Sequence, residues 1–186
     1  MSSKLEVSFN SPQCGWMSIG FDDGVDEFHT TTAHAPHEKA LSELLAILTE
    51  IADTSEQQAA YQLKWNRDPE AFDLQFFRDG GNVLLEIFQY PTEDREETER
   101  ERVFSHNGTV VDLVTAFAET FDQLYADRDT DEFEFNWRQP FPHKEFQEFK
   151  SRINGLEFER SLKEMTLNPD IQRHLESTGD KGRSVK

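Results

Sequence analysis

An α+β domain built on an antiparallel sheet is the fold this sequence predicts, and three features predict it. Short runs with apolar residues at every second position recur along the chain. Turn residues separate these runs at distances too short for a helical crossover. Two longer stretches carry apolar residues at helical spacing instead. The expected architecture is one antiparallel sheet of about five to seven strands. Two main helices, at 37–51 and 110–126, should lie on the same face, followed by a helical C-terminal tail.

Leu5, Val7 and Phe9 alternate with polar residues as a half-buried strand does, and Asn10-Ser11-Pro12 is expected to end it. Trp16 to Phe21 reads as a second strand with Met17, Ile19 and Phe21 on one face. Asp22-Asp23-Gly24 signals a hairpin into Val25–Thr31. Pro36 then opens a helix whose stripe is Leu41, Leu44, Leu45, Leu48 and Ile51, with Glu38 in its first turn. Asp53 to Gln58 ends it. Tyr61, Leu63 and Trp65 mark one strand and Phe72, Leu74 and Phe76 the next, with Asp68-Pro69 between them. Asp79-Gly80-Gly81-Asn82 turns into Val83–Tyr90, which is apolar on both faces and therefore reads as central. Pro91 to Glu101 holds six acids and is expected to be an exposed, mobile connection or the end of a long hairpin, before a short strand at Arg102-Val103-Phe104.

Thr109 is the expected N-cap of the strongest helix, whose stripe is Val110, Leu113, Val114, Phe117, Phe121 and Leu124. An acidic turn follows at Asp127–Glu134. Phe133, Phe135 and Trp137 alternate as a short strand would. Pro140-Phe141-Pro142 breaks the chain rigidly. Phe146, Phe149 and Ile153 predict a third helix capped by Gly155, and a last weak helix is expected from about 156 to 166. The chain thus divides into a sheet domain at 1–139, a helical appendix at 140–176 packed on it, and a disordered tail at 177–186. Each half runs strand, Asp-Gly turn, strand, helix, a topological echo without sequence identity.

Charge narrows the function. Against 37 acidic residues stand 19 basic ones, a formal charge of -18 over 186 residues. Such a chain repels phosphate backbones and anionic bilayers, so neither nucleic acid nor a membrane is the expected partner. A basic protein is the natural complement, and solubility alone is the plainer account of the acidity. Cys14 is the sole cysteine, which suits a reducing compartment, and the opening residues lack an apolar segment, so a cytoplasmic location is expected.

Chemistry is thinly signalled. His29, His34 and His37 cluster in sequence, but no thiol stands near them and their spacing fits no zinc motif. Surface histidines around a helix start are the simpler reading, and neither metal nor cofactor is expected. Cys14 would need a base such as His106 or His143 to act as a nucleophile. Asp73 and Glu86 lie inside strand patterns and are read as solvent-facing. No phosphate loop, dinucleotide turn or nucleophile elbow is present. The acidic segments stand out more. Glu93, Glu96, Glu97 and Glu99, with Asp127, Asp129, Asp131 and Glu132, are the candidate partner-binding residues. Trp137, with Phe141 and Tyr90, is the candidate aromatic anchor.

From Phe9 to Phe121 the pattern resembles small bacterial immunity-type proteins encoded beside polymorphic or contact-dependent toxins, and their uncharacterised relatives. The resemblance lies in Ser11-Pro12-Gln13-Cys14-Gly15-Trp16-Met17, the Leu41–Ile51 helix, Lys64-Trp65-Asn66-Arg67-Asp68-Pro69-Glu70 and the Val110–Leu124 helix. It implies a non-enzymatic inhibitor of one cognate toxin, with no catalytic residues to carry over. The expected function is therefore an immunity-type inhibitor that shows an acidic surface to a basic protein such as a toxin domain. The alternatives are a small hydrolase-like enzyme using a His/carboxylate pocket, and a non-catalytic structural protein that forms a homodimer through aromatics on an open sheet face.

Overall fold

Two antiparallel meanders, each followed by a helix, make up the body of the chain. A computed structural model describes residues 4–34, 37–53, 55 and 57–167. The first meander is β1 (Glu6–Gln13), β2 (Trp16–Asp22) and β3 (Glu27–Ala33), followed by α1 (Ala40–Ile51). The second is β4 (Gln58–Asn66), β5 (Ala71–Asp79), β6 (Asn82–Tyr90) and β7 (Glu101–Thr109), followed by α2 (Val110–Asp127), α3 (Phe133–Trp137) and α4 (His143–Leu167). The class is α+β with antiparallel pairing throughout, as expected. The expected single sheet is instead two, of three and four strands. Every pairing made by a short turn formed. The one step made through a helix, from β3 to β4, did not become a ladder. There the Thr32 hydroxyl donates to the Asn66 carbonyl at 2.8 Å.

In the first sheet Phe9, Met17, Ile19 and Phe21 are buried, as their alternation requires. Strand β1 runs past Pro12, which was expected to end it. The pairs Asn10↔Ser18 and Gln13↔Trp16 set Ser11 and Pro12 together against Met17, so a bulge absorbs the residue that lacks an N–H. The turn falls at Cys14-Gly15 instead. Strand β3 starts two residues later than expected, because Asp23 ties up the turn by accepting from the Val25 and Asp26 N–H groups, each at 3.0 Å. Along the outer border of β1, the Thr120 hydroxyl of α2 accepts from the Phe9 N–H at 2.8 Å.

Helix α1 buries Leu41, Leu44, Leu45, Leu48 and Ile51. It begins at Ala40, so its first-turn acid is Glu43 and not the expected Glu38; Pro36 lies outside the described residues. Its C-terminus is closed by Arg78, a buried cation reaching over from β5. Arg78 donates to the Ile51 carbonyl at 2.7 Å, to the Asp53 carbonyl, and to Gly80 at 3.0 Å. Free carbonyls and the negative end of the helix dipole both favour a cation there.

In the second sheet Leu63, Trp65, Phe72, Leu74, Phe76, Val83, Leu85, Ile87 and Phe104 face the core. Strand β6 lies between β5 and β7, in keeping with its apolar character on both faces. The expected short strand at 102–104 is in fact nine residues long, because Ser105 to Gly108 stay in register with β6 despite their polarity. Helix α2 starts where expected, with Thr109 Oγ1 accepting from the Asp112 N–H at 3.1 Å. Phe133–Trp137 is a helix and not the expected strand. Phe133 and Trp137, four apart, share one helical face and are buried, while Phe135 between them points to water. Helix α4 runs straight through Gly155, which therefore does not cap it, and takes in the separate helix expected at 156–166. Its residues Phe146, Phe149 and Ile153 belong to the same core as both sheets, α1 and α2. The expected disordered tail at 177–186, and residues 168–176 of the appendix, lie outside the described residues.

Candidate functional site

The six acids between Pro91 and Glu101 do not hang on a loose connection. Arg95 turns inward beneath the loop and donates from Nε to Asp73 Oδ1 at 2.7 Å. Asp73 lies on the non-core face of β5 and is only 3% exposed, so its expected solvent-facing position is corrected: the loop folds over it. Gln62 donates to its other oxygen at 2.9 Å. Burial, with the Asp73 carboxylate second, pushes the Tyr90 phenol above its ordinary pKa. Arg100 also turns inward, donating to Gln75 Oε1 at 3.2 Å with its guanidinium 3.6 Å from the Phe88 ring centre. Glu97 to Glu99 form a single 3₁₀ turn between the two arginines. With both cations underneath, Glu93, Asp94, Glu96, Glu97 and Glu99 are all exposed. Glu86 pairs with Arg102 at 2.8 Å on the same sheet face.

The second acidic segment has a different support. Helix α3 lies across the tip of the β1–β2 hairpin. Asn136 accepts from the Gly15 N–H at its carbonyl, 2.8 Å, and from the Cys14 N–H at its side-chain oxygen, 3.3 Å. Its amide nitrogen donates to the Asp131 carbonyl at 2.9 Å. Gly15 in turn accepts from the His34 N–H at 2.8 Å. Cys14, Glu132 and Arg138 all hold left-handed backbone, with φ of 52°, 50° and 62°. Each costs about 1 kcal/mol for a residue with a Cβ. Asp129, Asp131, Glu132 and Glu134 are exposed and Asp127 is half-buried. Trp137 is 2% exposed and donates from Nε1 to the Glu38 carbonyl at 3.0 Å. Phe141 and Tyr90 are core residues as well, so none of the three expected anchors offers its ring to a partner. The exposed rings at this junction are Trp16, 41% exposed, and Phe135, 79% exposed.

Compared with known proteins, this chain matches no family model, no curated protein and no solved structure. Its site is read from its own residues.

The histidines take separate partners. His29 meets Glu27 at 2.7 Å, His37 meets Glu43 at 3.0 Å, and His34 packs edge-on against Trp137. Among the described residues no three His, Cys, Asp or Glu side chains are grouped as metal ligands. Neither candidate base is turned to Cys14: His143 packs on Tyr125 and Phe141, and His106 faces Asp23. That last pair was not legible in the sequence. His106 Nδ1 lies 3.3 Å from Asp23 Oδ2, with both residues buried and 83 positions apart. The Asp23 carboxyl is held below its ordinary pKa, chiefly by the Asp26 N–H, then by the Val25 N–H and His106, against the opposing effect of burial. The ring of His106 lies over Gly108, where a Cβ would come within 2.7 Å of Nε2. No helix among the described residues is long and apolar enough to cross a membrane.

Proposed function

We propose that this chain is a protein-binding inhibitor of the immunity type, acting in the cytoplasm by presenting acidic surface to a basic partner such as a toxin domain. The observation that carries the reading is the sorting of charge in the 91–101 loop. Arg95 and Arg100 reach inward to Asp73, Gln75 and Phe88, with Arg100 also 3.5 Å from Glu97, and the acids between and before them are exposed. A loop already held in shape loses less conformational freedom when a partner docks, and a one-signed surface raises the rate of encounter. The segment at 127–134, held through Asn136 on the hairpin tip, supplies a second acidic surface on a different support.

The test starts with affinity capture from native cell extract and identification of what is retained. The retained protein should be basic, and its association rate should fall steeply with salt. Changing Glu96, Glu97, Asp129 and Asp131 together to lysine should leave the fold intact, because all four are exposed. It should slow association at least about tenfold at low salt, and the gap should narrow near 0.5 M salt, where the Debye length drops to a few ångströms. An unchanged rate in the folded quadruple variant would remove the basis for this reading. Arg95→Ala should weaken binding through a faster dissociation rate, since it frees the loop without touching an exposed acid.

A further inference from the structure

We infer that the outer face of the second sheet, where Phe77 and Leu84 stand side by side, is the surface on which the partner docks. An apolar side chain of a basic protein packs on that pair, and lysines or arginines beside it meet the acids around it. The inference rests on the reading of the chain as a binder of a basic protein and names where that contact is made.

Strand pattern and register together define the pair. On the outer face of β5 the residues are Asp73, Gln75, Phe77 and Asp79, so a ring interrupts a polar row. On the same face of β6, Leu84 stands between Asn82 and Glu86. Register sets the two exceptions directly opposite each other, Phe77↔Leu84, with Ala60 of β4 on the other side of Phe77. Phe77 is 40% exposed, Ala60 is exposed and Leu84 is half-buried. An aromatic ring with aliphatic neighbours on an otherwise polar face is the kind of contact point that interfaces place at their centre. Both strands are interior to the sheet, with a ladder on either side, so docking there orders little that is not already fixed.

The charges around the pair select the occupant. Asp79, two residues beyond Phe77 on the same face, is exposed. Gln75 lies two residues before Phe77, and there the 91–101 loop arrives. Arg100 donates to Gln75 Oε1 at 3.2 Å and stands 3.5 Å from Glu97, so the loop brings Glu97 to the border of the patch. The cations of this face are already engaged or set apart. Arg102 is paired with Glu86 at 2.8 Å, Arg95 and Arg100 reach inward, and Lys64 stands opposite Asp73 in the β4–β5 register. An apolar centre with an acidic border favours a partner that is apolar at one point and basic around it. A second copy of the chain would set the same acids against each other, at a formal charge of -18 per molecule. Nucleic acid and anionic lipid are repelled by the same charge.

The probe is the peptide Lys-Lys-Leu-Phe-Lys-Lys, capped at both ends, titrated into the isotope-labelled full chain and followed by amide chemical shifts. Shifts should concentrate at 75–78 and 83–86. A Lys-Lys-Gly-Gly-Lys-Lys peptide should bind at least about fivefold more weakly, and Glu-Glu-Leu-Phe-Glu-Glu should not bind. Phe77→Thr and Leu84→Thr keep good strand formers at both positions, and each should weaken the lysine peptide at least about fivefold with native circular dichroism. The two control peptides test the surface on wild type whatever the variants do. The inference is overturned if the shifts fall elsewhere, if the glycine peptide binds as tightly, or if a folded Phe77→Thr binds as wild type does. It is overturned as well if sedimentation shows a wild-type dimer that Phe77→Thr splits, because the occupant is then a second copy. The captured partner separates this failure from that of the broader reading. If charge reversal slows association but Phe77→Thr and Leu84→Thr leave the dissociation rate unchanged, the surface is misplaced and the acidic-inhibitor reading stands. If charge reversal has no effect, the broader reading fails and this inference falls with it.

Discussion

Asp73 and Asp23 show what a single carboxylate can do when its surroundings are assembled from distant parts of the chain. Asp73 alternates correctly with the core residues Phe72 and Leu74, so its face of the strand was legible. Its burial was not, because the lid comes from Arg95, 22 residues on. Asp23 was legible as a turn residue, but not as the partner of His106. It predicts a pH effect of definite sign. A carboxyl whose folded pKa lies below its unfolded value, here 3.8, adds stability that is fully present above that value. The contribution is lost as pH falls through the lower folded value. Urea midpoints for wild type should therefore drop as pH falls below about 3.8. Asp23→Asn should be less stable at neutral pH and show a flatter acid limb. Parallel acid limbs for the two proteins would show that the carboxylate contributes nothing through its charge.

At the scale of elements, hairpins and long amphipathic helices were legible because local signals specify them: Asp-Gly and Gly-Gly turns, period-two alternation, and Thr109 before an apolar stripe. Short elements were not. Aromatics at positions one, three and five satisfy a strand, yet the first and fifth also share a helical face, and the helix is the form in which Asn136 accepts from the Cys14 and Gly15 N–H groups of the hairpin. Arg78 is the other long-range determinant. Its alternation with Phe72, Leu74 and Phe76 puts a cation on the core face of β5, a choice that makes sense only once the end of α1 is seen against it. Arg78→Met keeps the length of the side chain and leaves the Ile51 and Asp53 carbonyls without their donor. It should cost about 2–3 kcal/mol of stability, read as a lower urea midpoint with an unchanged slope. Amide exchange in the last turn of α1 should speed up first. A loss under 0.5 kcal/mol would show that water replaces the guanidinium without penalty.

At the scale of the whole molecule, one core joins two sheets and the helices, and its last contributors come late in the chain. Phe149 stacks edge-on against Phe121 of α2, and Phe146 lies nearly parallel to Tyr125 at 4.7 Å. The order of elements revealed the helices but not that the C-terminal one closes the core, since a stripe of three residues does not say what it covers. Ending the chain after Gln139 removes four buried side chains, Phe141, Phe146, Phe149 and Ile153, each worth about 2 kcal/mol, and uncovers the rings they touch. That truncated chain should bind a hydrophobic dye and melt at least 10 °C lower. A cooperative transition at the wild-type temperature would show that 1–139 is self-sufficient.

The hydroxyl of Thr120 reaches further than one hydrogen bond. Where it meets the main chain of Phe9, the outermost strand of the first sheet has no amide left to offer at that point, and the body of α2 stands beside it. A stranger's strand cannot be added there without first prising the helix away. For a chain proposed to live by recognising other proteins, this matters: at Phe9 a newcomer meets a helix and its side chains where it would otherwise find free backbone, and that point on the border cannot serve as the template for a fibril.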